Sequence, residues 1–323
     1  MEKPQPTPPM PTEPPKPTPP VPIEPPKSTP AMLFTSGFCA GVVITGLFNP
    51  VDRALYLSAS KQRPFLHPSN WKRPFQGLGQ SIIGRAVSTG LWFPLEAVAI
   101  DAVGHHTELS PSVSSAVAGQ LAGATNALLL SPLSFIKFQT WGLPEGKRSF
   151  SRTFSKIYRT AGAMAFFRGL PATVLRDAIF GGCFAWLRFR LRNYTEVGAP
   201  AASNDYPGGV CFAADAAAAG AATTVSAPLN YARNVQFGTP VSSALPTTWT
   251  VVGRLWREAS EQPTASARVR VLMQRTNVGW GTLRVAAGMA LTSSIFSGLV
   301  RLGDSLSQAA LLEDGAREKP AMK

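Results

Sequence analysis

The strongest constraint on the fold is a figure that occurs three times. A charge-free apolar run, 116–130, is closed by Ser131-Pro132-Leu133-Ser134-Phe135-Ile136-Lys137. Proline ends or kinks a helix, because it lacks a donor N–H and its ring crowds the preceding turn. Two further apolar runs close on Asn49-Pro50-Val51-Asp52-Arg53-Ala54-Leu55 and Ala227-Pro228-Leu229-Asn230-Tyr231-Ala232-Arg233. After each proline comes a basic connection, then an aromatic-plus-glycine landmark: Pro74-Phe75-Gln76-Gly77, Phe166-Phe167-Arg168-Gly169 and Gly279-Trp280-Gly281. A second apolar run follows every landmark. Such self-similarity is read as stacked copies of one structural unit. Three copies of helix, proline, basic loop and helix predict six long helices.

The six are expected at about 32–57, 78–103, from about 112 onward, 170–191, 208–235 and 282–302. Each is long enough for a bilayer core of about 30 Å. Small residues prepare close helix contacts: Gly37, Gly41 and Gly46 in the first, Gly119 and Gly123 in the third, Ala216 and Gly220 in the fifth. Composition agrees with a membrane protein. Of 323 residues, 45% are hydrophobic and only 15% charged, although the net charge is +13. The cations do not interleave with aromatics along a stripe, so a nucleic-acid surface is not indicated. They collect in the connections after the first, third and fifth helices. The opposite connections, 104–111 and 193–207, carry Glu108, Glu196 and Asp205 but no Lys or Arg. That asymmetry orients the chain by the positive-inside rule. In the second basic connection Phe150, Phe154, Ile157 and Tyr158 recur at helical spacing, which predicts a short amphipathic helix on the membrane surface.

This pattern resembles the mitochondrial carrier family over about residues 32–308, most closely in "PLSFIKFQ" and "KIYRTAGAMAFFRGLPATVLRD". The resemblance implies an all-α membrane fold, with six transmembrane helices in three pseudo-threefold repeats (32–104, 112–193, 208–308) and short matrix-side helices. It implies a multi-pass protein of the mitochondrial inner membrane, with the basic loops in the matrix and both termini in the intermembrane space. Membrane lipids are then partners, with cardiolipin at the matrix-side helix ends.

In that family, acids and bases after the three prolines form a ring of ion pairs that closes the matrix side. The corresponding positions here are Asp52, Ser134, Lys137, Asn230 and Arg233, with Pro50, Pro132 and Pro228 bending the helices. Only the pair Asp52–Lys137 is retained; Ser134 and Asn230 replace acids, and Leu55 replaces a base. The opposite gate is no better conserved: the even helices offer Glu96, then Arg188 and Arg190, then Ser297. Asp215 is expected to pair with the Arg188/Arg190/Arg192 end of the fourth helix. The family's central site maps, seven or eight residues beyond each landmark, to Gly84, Arg85 and Ser88, to Arg176 and Asp177, and to Gly288. The Arg176-Asp177 pair could meet the carboxylate and ammonium of a zwitterion, or the two side chains could satisfy each other.

Cys39, Cys183 and Cys211 read as small buried hydrophobes, without the spacing of a metal site. His105-His106 reads as a solvated pair. No cofactor, metal or nucleic acid is implied, and nothing is arranged for catalysis. Residues 1–31 form a proline-rich arm suited to extended polyproline II, serving as a spacer or a docking segment; 309–323 is a polar tail. Two functions are compatible with this reading. The eroded gates, the arm and the long third loop favour an accessory subunit docked, through the arm, on a large respiratory complex of the inner membrane. The alternative is an active carrier exchanging a small zwitterionic or anionic metabolite, of amino-acid or carnitine type.

Overall fold

A computed structural model describes residues 29–61, 64–106, 108–141, 149–195 and 208–317. The expectations for the proline-rich arm, for Glu196 and Asp205, and for the end of the tail lie outside these residues. The described chain contains six spans: α1 (Pro30–Lys61), α2 (Leu78–His106), α3 (Pro111–Trp141), α5 (Leu170–Thr195), α6 (Gly208–Gly238) and α9 (Trp280–Arg317). Three shorter helices, α4 (Phe150–Ala161), α7 (Thr248–Ser260) and α8 (Ala265–Thr276), lie in the basic connections. All six spans are apolar enough to cross a bilayer. At about 1.5 Å per residue, even the shortest reaches beyond a 30 Å core. Val43, Leu47, Val98, Leu128 and Val225 point outward, which suits lipid rather than water.

Each span packs on its chain neighbour, and α9 returns to α1, so the six form a closed ring. The odd spans are α1, α3 and α6; the even spans are α2, α5 and α9. The glycines explain how closely they approach. A Cβ on Gly119 would fall 2.3 Å from the carbonyl oxygen of Gly181, and one on Gly123 only 2.2 Å from that of Asp177. No side chain fits between α3 and α5 there. Gly41 lies against the backbone of Ala86 in the same way. One sequence expectation needs correction: Gly46 faces open space. α6 packs on two sides. Gly220 lies against Thr282 and Ala286 of α9 at ordinary contact distance, and Ala218, Ala219 and Ala222 pack with Phe184, Cys183 and Leu187 of α5.

The prolines do not end their helices. Pro50, Pro132 and Pro228 lie inside α1, α3 and α6, which continue to Lys61, Trp141 and Gly238. Each continuation brings residues of the gate motif onto the inner face. The cysteines also depart from expectation: Cys39 is exposed, Cys183 and Cys211 are half-buried. A position facing lipid accepts a thiol as readily as a protein core does. His105 lies 3.3 Å from Asp101, an exposed pair one helical turn apart.

The basic connections are built unequally. The first holds a single 3-10 turn, Pro68–Asn70. The second holds the amphipathic α4, capped by the Ser149 hydroxyl. Its Ile157 is buried and Phe154 stacks on Phe166, while Tyr158 faces outward. The third holds two helices. α7 buries Val251, Leu255 and Ala259, and α8 ends on Asn277 in the left-handed conformation.

Candidate functional site: a basic cavity closed at one end

The ring encloses a cavity of 1780 Å³. Its floor is formed by Thr89, Phe93, Phe180, Met289 and Thr292, and it opens past Phe65, Arg270 and Trp280 on the side of the basic connections. The central-site residues Gly84, Arg85, Ser88, Arg176, Asp177 and Gly288 all line it, and so do the gate residues Asp52, Ser134, Lys137, Asn230 and Arg233. The two sets form one chamber.

One residue missing from the sequence expectation organises the chamber. Arg284 of α9 donates from Nη2 to Asp52 Oδ2 at 2.6 Å, and its Nε sits against Oδ1. Arg85 of α2 approaches the same carboxylate at 3.6 Å. The arginines holding Asp52 therefore come from even spans, whereas the gate motif foresaw Lys137 on an odd one. The guanidinium of Arg284 lies over the Phe48 ring, 4.9 Å from its centre. Gly288 makes room for it: a Cβ there would be 2.8 Å from Arg284 Nη1. Gly288 thus shapes the site without supplying a functional group.

The residue that turns into each even span is a glycine of positive φ: Gly77 at φ 77°, Gly169 at φ 77° and Gly279 at φ 117°. Each accepts the first backbone bond of its helix, from Ser81, Thr173 and Leu283. Asn277, left-handed at φ 58°, ends α8 instead. Counting from Gly281 led to Gly288 and passed over Arg284, although Leu283-Arg284 repeats Leu175-Arg176 in the sequence.

Arg176 Nε stands 2.8 Å from Asp177 Oδ1, so the two neighbours partly satisfy each other, although the contact lacks hydrogen-bond alignment. Arg233 is held by aromatic faces, 5.6 Å from the centre of Phe138 and 5.7 Å from that of Phe237. Asn126 donates to Ser88 across 3.1 Å. Around the inner chamber stand Arg85, Lys137, Arg176, Arg233 and Arg284 against the two acids Asp52 and Asp177. Charges facing a membrane protein's interior mark solute pathways, and this excess of positive charge favours an anionic group.

Beyond the floor the bundle is shut. Phe93 of α2 stacks on Phe296 of α9, with centroids 3.6 Å apart and planes 4° from parallel. Arg188 of α5 donates to Glu96 of α2 at 2.7 Å. Arg192 donates to both oxygens of Asp215 on α6 at 2.8 Å. The Glu96–Arg188 bond escaped the sequence reading because the acid and the base occupy different repeats, each with an incomplete motif. Among the described residues no His/Cys/Asp/Glu cluster could hold a metal.

Six apolar spans surround a chamber that carries a cluster of charged side chains and is open at one end and shut at the other. A family model described as "Mitochondrial carrier protein" matches residues 108–194. A "Mitochondrial glycine transporter" of Xenopus tropicalis is 26% identical over 170 residues, covering 47% of this chain and 55% of that relative. The match thus spans about half the length of the curated relative. Over that stretch the chain is similar to mitochondrial carriers, and its six apolar spans agree with a multi-pass membrane protein.

Proposed function

We propose that the chain is a solute carrier that exchanges a small metabolite bearing a carboxylate, zwitterionic or anionic, across the inner membrane. The observation that carries this reading is the chamber itself. It is open, and Arg85, Arg176 and Arg284 all line it. A retired carrier has no need to keep such a chamber clear. The glycine transporter among its relatives supports transport of a solute of amino-acid size. The accessory-subunit reading rested on the eroded gates, the proline-rich arm and the long third loop; the similarity to a transporter favours transport instead. In the membrane the basic connections would face the matrix and both termini the intermembrane space, so the chamber is open to the matrix in this conformation.

The test is counter-exchange in proteoliposomes preloaded with amino acids, carnitines, nucleotides or carboxylates. Wild type should exchange at least one class. Arg176→Ala should slow it about tenfold or more, the value of a lost charge-assisted hydrogen bond. Absence of exchange in every class would refute the proposal.

A further inference from the structure

Helix α8 has no counterpart in the other two repeats: the first connection holds one 3-10 turn, the second holds α4, and the third holds both α7 and α8. It is tied back to α7, where Arg275 Nε donates to Glu258 Oε1 at 2.9 Å, and to the turn that follows, where Arg268 Nε donates to the Gln262 carbonyl at 3.0 Å. Ser266, Val269, Arg270, Met273 and Gln274 of α8 all line the chamber. Their three- and four-residue spacing places them on one face of the helix. On that face Val269 is 53% exposed and Met273 43%. Apolar side chains left open and rimmed by polar ones mark a binding groove.

The groove continues into α9. Asn277 and Val278 both donate their N–H to the Met273 carbonyl, so the chain turns at once from α8 to Trp280. That ring is half exposed and stacks on Phe65, with centroids 5.0 Å apart. Arg284 follows one turn along α9, a rise of about 6 Å, and lines the same chamber. From the mouth inward the order is therefore an aliphatic face, an aromatic pair and a cluster of arginines. We infer that the chamber takes a carboxylate carrying an apolar chain of several methylene groups, its head among Arg85, Arg176 and Arg284 and its chain along Trp280, Met273 and Val269. The inference rests on the carrier reading and narrows the solute class. A solute as short as glycine would reach the arginines without touching α8. The wall suits a flexible chain better than a ring, because Val269 and Met273 are aliphatic, Met adapts its shape to its neighbours, and Phe65 already covers one face of Trp280.

The experiment reads binding rather than transport. Butyrate, hexanoate and octanoate are titrated into the full chain in lipid nanodiscs by calorimetry, with empty nanodiscs subtracted. Wild-type affinity should rise about fourfold for each added methylene, the value of burying one. Val269→Thr combined with Met273→Gln keeps the shape of the face and makes it polar, and should cut the gain to under about twofold per methylene. Both positions are exposed, so the thermal midpoint of this variant should match wild type. Arg284→Gln should instead weaken all members of the series by one common factor of about tenfold and keep the slope. Hexanol, which has the chain without the carboxylate, should bind far more weakly than hexanoate.

A flat series in wild type would overturn the inference, as would a slope that survives the double variant. Hexanol binding as tightly as hexanoate would also overturn it, because the face would then be a plain apolar patch open to any lipid or protein. If exchange fails in every class while the slope behaves as expected, the carrier reading falls and the chain-binding wall stands. If exchange occurs and the series is flat, the wall alone falls.

Discussion

Asp52 and Asp215 are both gripped by an arginine from another helix, yet one sits at the open end of the bundle and the other at the shut end. Asp215 is 1% exposed, set among the alanines of α6, and takes two bonds from Arg192. Asp52 faces the chamber and is shared by Arg284 and Arg85. A buried pair must stay complete, because removing one member leaves an uncompensated charge. The two pairs mirror each other: at the shut end the acid is the buried member, 1% exposed against 24% for Arg192, and at the open end the base is, 5% exposed against 22% for Asp52. Water therefore reaches the base at the shut end and the acid at the open end.

The largest effect expected from this contrast is on stability. Asp215→Ala should cost about 3 kcal/mol, with a clear fall in the thermal unfolding midpoint of the detergent-solubilised protein. Asp52→Asn leaves the buried Arg284 a neutral acceptor in place of a charged one, should cost about 1 kcal/mol, and should also impair exchange. Comparable midpoints for the two variants would erase the distinction between a buried acid and a buried base.

A smaller effect is expected at Glu96, which ties α2 to α5 through Arg188. Glu96→Gln replaces a charged acceptor by a neutral one and should weaken the shut end by about 1 kcal/mol. Thr89 on the chamber floor reports the consequence. With Thr89→Cys as the only cysteine, labelling by an impermeant thiol reagent added at the shut end should rise about fivefold, the rate equivalent of that energy. Unchanged labelling would mean that Glu96 does not hold this end closed.

How much of this was legible in the sequence differs between the two ends. The spans, their order and the chamber residues Arg85, Arg176 and Asp177 follow from features local to the chain: apolar runs, punctuating prolines, and glycines at helix entries. Asp215–Arg192 was legible because the two lie on consecutive helices joined by one short connection. Arg284 was passed over because the third landmark was counted from Gly281, which placed the site at Gly288. The partners of Asp52 and of Glu96 lie 232 and 92 residues away, and no local pattern marks them. Phase along a helix was equally illegible where alanine runs unbroken: in α6 the face toward α5 could be placed on Ala216 as well as on Ala218 until the packing against Phe184 was known.

The finest test of the shut end concerns Phe93 and Phe296. Their rings lie almost parallel, a geometry that opposes like faces of two quadrupoles, so the pair should be worth the lower end of about 0.5–1.5 kcal/mol. Gly37 supplies the space for it: a Cβ there would come within 2.9 Å of the Phe93 ring. Phe93→Leu keeps apolar bulk and removes the stack, and should raise Thr89→Cys labelling from the shut end about twofold, less than Glu96→Gln does. Phe296→Leu should match it. Because both act through one contact, the double variant should be no more open than the stronger single variant, the signature of coupled rather than independent sites. Additive effects would show that each ring works through separate neighbours, leaving the two ion pairs to hold that end shut without the stack.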